Sequence, residues 1–378
     1  MSNHWIAAWG CPIAKAGKTG AEWMKDTTIR FNILMTVPGE ALKFHFSNLF
    51  NKEESIITAA SVSANTEGSS FDPYRLVPIT FGGEKGGKME AGGAICSDEI
   101  DFSFKAGETL TISLYFAEFT HQLTGHQNSG EFIKRWAASG DCTMEAELPE
   151  NEYNESPVYP FIHTIEALSP KDCYSIVAFG DSITAQTWPD RLSRRLLELG
   201  KTNIAIIRKA IGGSRVLREY PCDLYRTYGP KGLDRFEREV LLPGVKKVFI
   251  LHGINDIIHP NGGPFRPLSD QPSSEELIEG LEFYIHTAHQ AGIKVFLSPI
   301  LPFEGWRTYN EEKEKIREGV NYWIYRQAPI EGVLPFELAV LDPDNPLRLH
   351  QFFDSGDHLH PSGKGAQAMA ESIPEELL

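Results

Sequence analysis

The hydrophobic period of this chain changes once, near residue 165, and that change constrains its fold more than any other feature. Before it, apolar side chains alternate with the rest. Ile29, Phe31, Ile33 and Met35 interleave with Thr28, Arg30, Asn32 and Leu34, and Leu42, Phe44 and Phe46 interleave with Lys43, His45 and Ser47. Ile100, Phe102 and Phe104 alternate in the same way, as do Leu110, Ile112, Leu114 and Phe116. A period of two predicts strands with one buried face, and Gly82-Gly83-Glu84-Lys85-Gly86-Gly87 predicts a turn. Residues 1–168 are expected to form a β-sandwich or jelly-roll-like domain.

Past the change, short apolar runs alternate with helical spacing. Strands are expected at Ser175–Phe179, Asn203–Ile207, Lys247–Leu251 and Lys294–Ser298. Between them lie helical patterns at Trp188–Leu199, stopped by Gly200, and from Ser273 to Ala291, stopped by Gly292. Ser273 and Glu276 have the spacing of a capping box, and Asn310–Arg326 reads as a further helix. Strands separated by helices predict an α/β fold, a parallel sheet covered on both faces, for residues 169–378. The connecting loop is expected around Glu166–Lys171, which contains Ser169-Pro170.

Composition excludes several classes. The chain has 378 residues, 41% of them hydrophobic and 23% charged, which argues against a disordered chain or a coiled-coil rod and suits two domains. No apolar stretch approaches the ~18 residues needed to span a bilayer. Lys plus Arg total 36 and Asp plus Glu total 51, a net charge of −15, so neither nucleic acid nor an anionic membrane is an expected partner. Cys11, Cys96, Cys142, Cys173 and Cys222 are odd in number, widely spaced and lack a CxxC pair. A reducing compartment follows, without structural zinc. Met1-Ser2-Asn3-His4-Trp5-Ile6 lacks a basic stretch leading into an apolar one, so a cytoplasmic location is expected.

Four segments carry candidate chemistry. The strand Ser175–Phe179 runs into Gly180-Asp181-Ser182, which puts a serine at the carboxyl end of a parallel strand, close to a helix start. Such a serine can supply both an attacking oxygen and a backbone N–H for an oxyanion. Taken alone, the tripeptide also fits a turn in which Asp181 or Ser182 caps a helix. Gly212-Gly213 follows the second strand and lets backbone approach a ligand closely. His252-Gly253-Ile254-Asn255-Asp256 follows the third, and Asn255 can present an amide to an oxyanion, although a turn or cap reading also stands. Asp357 and His360 are three apart, side by side if the segment turns as a helix, and a carboxylate beside a histidine fixes its tautomer. The two histidines and two aspartates of Asp354–His360 could instead ligate a metal, but no other dense ligand cluster accompanies them.

Taken in order, these segments resemble the SGNH/GDSL hydrolase family. Gly180-Asp181-Ser182-Ile183 matches the first block, with Ile where the family name has Leu. The region of Gly213 matches the second, Gly253-Ile254-Asn255-Asp256 the third, and Asp357-His358-Leu359-His360 the last. The resemblance implies an α/β/α catalytic domain with a flavodoxin-like parallel sheet and a serine ester hydrolase that needs no cofactor or metal. It implies Ser182 as nucleophile, His360 as base and Asp357 as orienting acid, with an oxyanion hole of Ser182, Gly213 and Asn255. The chain departs from the family at Arg208-Lys209-Ala210, where an Asn is common, which leaves Gly212 as a rival to Gly213. His358 is a rival base. Trp5–Gly10 and Leu76–Gly83 resemble two-domain members that carry a β-sandwich ahead of the catalytic domain.

The expected substrate is a small-molecule or oligosaccharide ester, with a short acyl group on a carbohydrate favoured. A lipase, arylesterase or thioesterase for longer chains, and a carbohydrate-binding protein on a decayed hydrolase scaffold, are the alternatives. Asp181, Arg215 and Trp306 are candidate substrate contacts. For His121, His126 and Trp136 packing or solvation is the expected role. Gly82–Lys88 has phosphate-loop spacing, but Met89 stands where Ser or Thr is needed. The sequence lacks GxSxG, which argues against a nucleophile-elbow hydrolase. The oligomeric state has no signature in the sequence.

Overall fold

A computed structural model describes residues 3–15, 23–121, 124–126, 134–149, 154–155 and 159–378. By compactness the chain divides into two units. Met1–Tyr174 with Leu196–Ala205 form one, and Ser175–Arg195 with Ile206–Leu378 form the other.

The alternating segments of the first unit build two antiparallel sheets. One runs in the spatial order Asn3–Gly10, Ile162–Pro170, Gly39–Ser47, Ile100–Phe104, with Ala94–Cys96 also paired to Gly39–Ser47. The other runs Asn154–Glu155, Arg135–Ser139, Thr27–Leu34, Thr109–Phe116, Ala59–Ala64, Val77–Pro78. Alternate apolar residues bury the inner faces, such as Phe44 and Phe46 in the first sheet and Phe31 and Ile33 in the second. Trp9 stacks on Phe31 at 6.4 Å between ring centroids, joining the inner faces into a sandwich. The segment expected to be the connecting loop is mostly strand. Glu166–Pro170 continues Ile162–Pro170, and the chain turns only at Lys171-Asp172. The physical reason is visible in the pattern: Ile165, Ala167 and Ser169 alternate as fully buried residues, so the run gains more as a central strand than as a linker. Pro170 is tolerated because it ends the strand.

The second half is a parallel sheet wrapped by helices. Its elements, numbered from its own first strand, are β1 (Tyr174–Gly180), α1 (Ser182–Ala185), α2 (Trp188–Glu198), β2 (Ile204–Ala210), α3 (Gly232–Val240) and β3 (Val245–Leu251). They continue with α4 (Ile254–Ile258), α5 (Ser274–Gln290), β4 (Lys294–Leu297), α6 (Glu311–Arg326), β5 (Gly332–Val333), α7 (Phe336–Val340) and α8 (Gly363–Ser372). The strand order is β2-β1-β3-β4-β5, with β1–β3, β3–β4 and β4–β5 paired parallel. This is the doubly wound order in which the chain reverses direction of build between β1 and β3, opening a crevice at their carboxyl ends.

Local signals explain the helices. Both halves of the capping box form at Ser273 and Glu276, satisfying two N-terminal N–H groups of α5. Asn310 caps α6 by accepting from Lys313 N–H at 2.9 Å. After α2, Gly200 takes φ of 71°, and the N–H groups of Gly200 and Lys201 return to the carbonyls of Leu197 and Leu196. Phe179 of β1 packs edge-on against the stacked pair of Phe236 on α3 and Tyr284 on α5. On the other group of helices, Trp188 of α2 packs on Phe336 of α7, and Arg195 of α2 donates to the carbonyls of Ala370 and Ile373 at the end of α8. Among the described residues no helix is long and apolar enough to cross a membrane, and no group of three or more His, Cys, Asp or Glu is placed to hold a metal ion.

Candidate active site

Ser182 stands where β1 ends. Gly180 is the last residue of that strand and pairs with Leu251, the last of β3. A Cβ on Gly180 would lie 2.2 Å from the Leu251 carbonyl oxygen and 2.6 Å from Thr184 Oγ1, so only glycine lets the strand end pass this closely. Asp181 then caps α1, its Oδ1 accepting the Ile183 N–H at 3.1 Å. Ser182 is thereby the first residue of a one-turn helix.

The β2 turn brings backbone beside that serine. A Cβ on Gly212 would stand 3.8 Å from Ser182 Cβ. Gly213 takes φ of 79°, and a Cβ there would fall 2.3 Å from the Tyr228 ring, so both its conformation and its cover demand glycine. Beyond β3, Gly253 at φ of 127° redirects the chain into α4. Asn255, 3% exposed, donates through Nδ2 to the Ser214 carbonyl at 3.1 Å. A primary amide carries two N–H groups, so a second is left for a ligand oxygen. Asp256 is buried beside it and accepts the N–H groups of Val216 and Leu217 at 2.7 and 3.0 Å. Burial pushes its carboxyl up to about 6 against those two donors.

Asp357 and His360 meet without a helix. The segment 355–360 is a bend with no regular structure, so the expected helical turn is replaced by local side-chain-to-backbone bonding. Asp357 Oδ1 accepts the N–H groups of Leu359 and His360 at 3.0 and 2.8 Å and the Ser355 hydroxyl at 3.1 Å. Its Oδ2 lies 2.6 Å from His360 Nδ1. Burial works against its charge, but the His360 backbone N–H, the imidazole and the Leu359 N–H outweigh it and hold the carboxyl down at about 2. His360 Nε2 lies 2.8 Å from Ser182 Oγ, 178 residues away in sequence. The three side chains thus form one chain of hydrogen bonds, carboxylate to imidazole to hydroxyl, able to move a proton off the serine. His358 is directed elsewhere: it takes a left-handed φ of 64° and its Nδ1 pairs with Asp354 Oδ2 at 2.8 Å.

The other expected contacts have varied positions. Trp306 is half-buried, with its ring edge-on to His360 at 6.5 Å and 86°. Arg215 is 2% exposed and is taken up by Asp270 Oδ2, the Arg218 and Glu219 carbonyls and the face of Tyr220. These contacts hold its own loop, because so long a cation is kept below the surface only when it is fully paired. Asp181 is wholly buried, which removes it from substrate contact. Burial, with the charge of Asp256 adding to it, pushes its carboxyl up to about 7 against the Ile183 N–H. Trp136 lies in a core cluster with Ala138, Cys142 and Leu148. His121 is paired with Glu53 at 3.2 Å, and His126 is buried in a two-residue strand against Tyr159. The loop residues 122–123 and 127–133 around these two histidines lie outside the described residues.

Three features were not anticipated. Tyr228 covers Gly213 and stacks on His259 and Tyr225, with centroids 5.4 and 5.5 Å apart. Arg235, on α3, is fully buried and donates to the carbonyls of Gly180 and Lys209. His252 is buried between Ser214 and Tyr284, and burial drives its pKa well below the usual imidazole value, so it is neutral. Arg235 and Glu239 have the i, i+4 spacing of a helical ion pair, the one sequence signal that marked this position.

Comparison with known proteins bears on residues 178–368, which match the model of the GDSL-like Lipase/Acylhydrolase family, about half of the chain. A search of curated proteins finds no match. Among solved structures, similar chains include a GDSL-like lipase from Bacteroides thetaiotaomicron, 20% identical, with 53% of this chain and 85% of that one covered at a TM-score of 0.37. An acetylxylan esterase from Geobacillus stearothermophilus is 18% identical over 54% of this chain and 94% of its own, at a TM-score of 0.40. A carbohydrate acetylesterase from Sinorhizobium meliloti is 15% identical, over 54% and 98%, also at 0.40.

Proposed function

The chain belongs to the GDSL-like lipase/acylhydrolase family of ester-cleaving enzymes, and on that premise we propose a serine esterase that removes short acyl groups, acetyl above all, from carbohydrate. The observation that carries the mechanism is the unbroken chain from Asp357 Oδ2 through His360 to Ser182 Oγ, at 2.6 and 2.8 Å. His360 takes the serine proton as Oγ attacks the acyl carbon. The oxyanion is met by the N–H groups of Ser182 and Gly213 and the free N–H of Asn255. Imidazolium gives its proton to the departing alkoxide, and water, deprotonated by His360, then releases the acid from the acyl-enzyme. Asp357, ionised because its pKa is held near 2, orients and charge-balances the ring. The same intact chain speaks against a binding protein on a decayed scaffold.

Two observations support the substrate. His360 must protonate the leaving oxygen, so the alcohol portion lies on its side, where the half-buried Trp306 stands perpendicular to the imidazole with the Arg307 guanidinium over its ring, an aromatic and polar pairing suited to a sugar. Tyr228, backed by His259 and Tyr225, crowds the Gly213 side of the site, which favours a small acyl group. The longer-chain lipase or thioesterase reading requires that wall to move. The test is hydrolysis of p-nitrophenyl acetate, butyrate and octanoate by wild type, Ser182→Ala and Tyr228→Ala. Acetate is expected to lead, activity to vanish with Ser182→Ala, and Tyr228→Ala to raise the octanoate-to-acetate ratio roughly tenfold or more. Octanoate leading in the wild type would overturn the short-acyl assignment.

A further inference from the structure

Ser214 is the residue at which contacts from the ends of β1, β2 and β3 converge. It directly follows Gly213 in the β2 turn. Its carbonyl accepts from Asn255 Nδ2 at 3.1 Å and lies 3.2 Å from His252 Nε2, next to the β3 end. Its hydroxyl lies 2.9 Å from the same imidazole nitrogen and accepts from Arg235 Nη2 at 3.1 Å. Arg235 also donates to the carbonyl of Gly180 at 2.7 Å, two residues before Ser182, and to that of Lys209 at 2.9 Å, near the end of β2. Glu239 Oε2, 2.7 Å from Arg235 Nη1, balances the guanidinium, and Phe179 packs beneath it at 4.1 Å. Arg235 and Glu239 are fully buried, and Ser214 and His252 nearly so.

A buried ion pair is a poor source of net stability, because desolvation offsets most of its attraction. Apolar side chains would fill the same space at less cost. What they could not supply is a rigid set of directed bonds that ties the β1 end, the β2 turn and the β3 end to one another. We propose that Ser214, clamped by Arg235 and His252, is a positioning residue that fixes the Gly213 N–H and the Asn255 amide relative to Ser182 before substrate arrives. It touches no reacting atom and acts through its neighbours. The inference rests on the oxyanion-hole reading above.

Ser214→Ala removes one atom and leaves Arg235 and Glu239 paired, whereas Arg235→Ala would strand a buried carboxylate and is not an informative variant. On p-nitrophenyl acetate, Ser214→Ala is expected to lower kcat roughly 10- to 100-fold with KM nearly unchanged, the signature of lost alignment in the transition state. Asn255→Ala is expected to lower it roughly 100- to 1000-fold. Because Ser214 acts partly through Asn255, the double variant should fall well short of the product of the two losses. A boronic acid that mimics the tetrahedral adduct should bind Ser214→Ala more weakly in proportion to the kcat loss, which a merely structural change would not produce. Ser214→Ala within twofold of wild type, beside a crippled Asn255→Ala, overturns the positioning role alone. Multiplicative losses overturn it as well. An active Asn255→Ala overturns the oxyanion hole itself, and the positioning role with it.

Discussion

The two sides of the site are held by different physics. Ser182, Gly213 and Asn255 stand at the ends of β1, β2 and β3, beside buried residues that hydrogen-bond one another. Asp357 and His360 stand on a bend whose neighbours Ser355, Gly356 and His358 are exposed. There the fold is kept by the loop's own carboxylates. Asp357 Oδ1 takes three donors, and Asp354 Oδ1 takes the N–H groups of Gly356 and His358 at 2.8 and 3.0 Å. Stabilising a developing charge requires donors that do not reorganise, and the sheet ends supply that rigidity. Passing a proton requires only that two side chains keep hydrogen-bond distance, which a loop of this kind achieves with local bonds.

That contrast can be broken by substitution. The largest effect is expected from Asp357→Asn, which keeps an acceptor for the backbone N–H groups but loses the charge beside His360. Activity should fall about 10⁴-fold while the melting temperature stays within a few degrees. Activity near wild type would remove Asp357 from the mechanism, and a collapse of the melt would show that the loop is not independent of the core. Asp256→Ala probes the opposite side. It strands the buried N–H groups of Val216 and Leu217, and the cost after relief of the carboxylate's own burial is about 1–4 kcal/mol. Urea denaturation would measure it, and a change well under 1 kcal/mol would mean that the Ser182 side is no more rigidly held than the loop.

A pH-dependent effect on the same side of the site concerns Asp181. Burial raises its carboxyl from 3.8 to about 7, so between those values the folded chain binds a proton that the unfolded chain does not. Stability from this group therefore falls as pH rises toward about 7 and recovers as pH drops. Asp181→Asn should flatten the melting temperature across that range, and an unchanged slope would place the titrating group elsewhere.

Much of the architecture was legible in the residues because single-period segments dominate it. The four strands expected in the second half lie within three residues of their observed bounds, and the capping box at Ser273 and the stop at Gly200 act as their chemistry dictates. Glu166–Lys171 misled because Ser169-Pro170 looks like a break, although Ile165, Ala167 and Ser169 keep the strand's alternation. At the site, Asp357 and His360 were found through a three-residue spacing that suggested a helix, while the contact is made by a bend. The partner of Arg215 was not legible, because nothing local announces Asp270, 55 residues on. The joint role of Arg235, Ser214 and His252 was hidden for the same reason: apart from the i, i+4 spacing of Arg235 and Glu239, it lies in contacts between separate elements, and periodicity reports only on neighbours along one element.

The most direct test of the account is covalent. Wild-type enzyme mixed with p-nitrophenyl acetate and quenched in acid within the first turnover should carry one acetyl group, mapped by peptide mass spectrometry to the segment containing Ser182. Asp357→Asn should acquire it far more slowly, and Ser182→Ala not at all. An acetyl group on another residue, or rapid hydrolysis by Ser182→Ala, would contradict the assignment of Ser182 as the nucleophile.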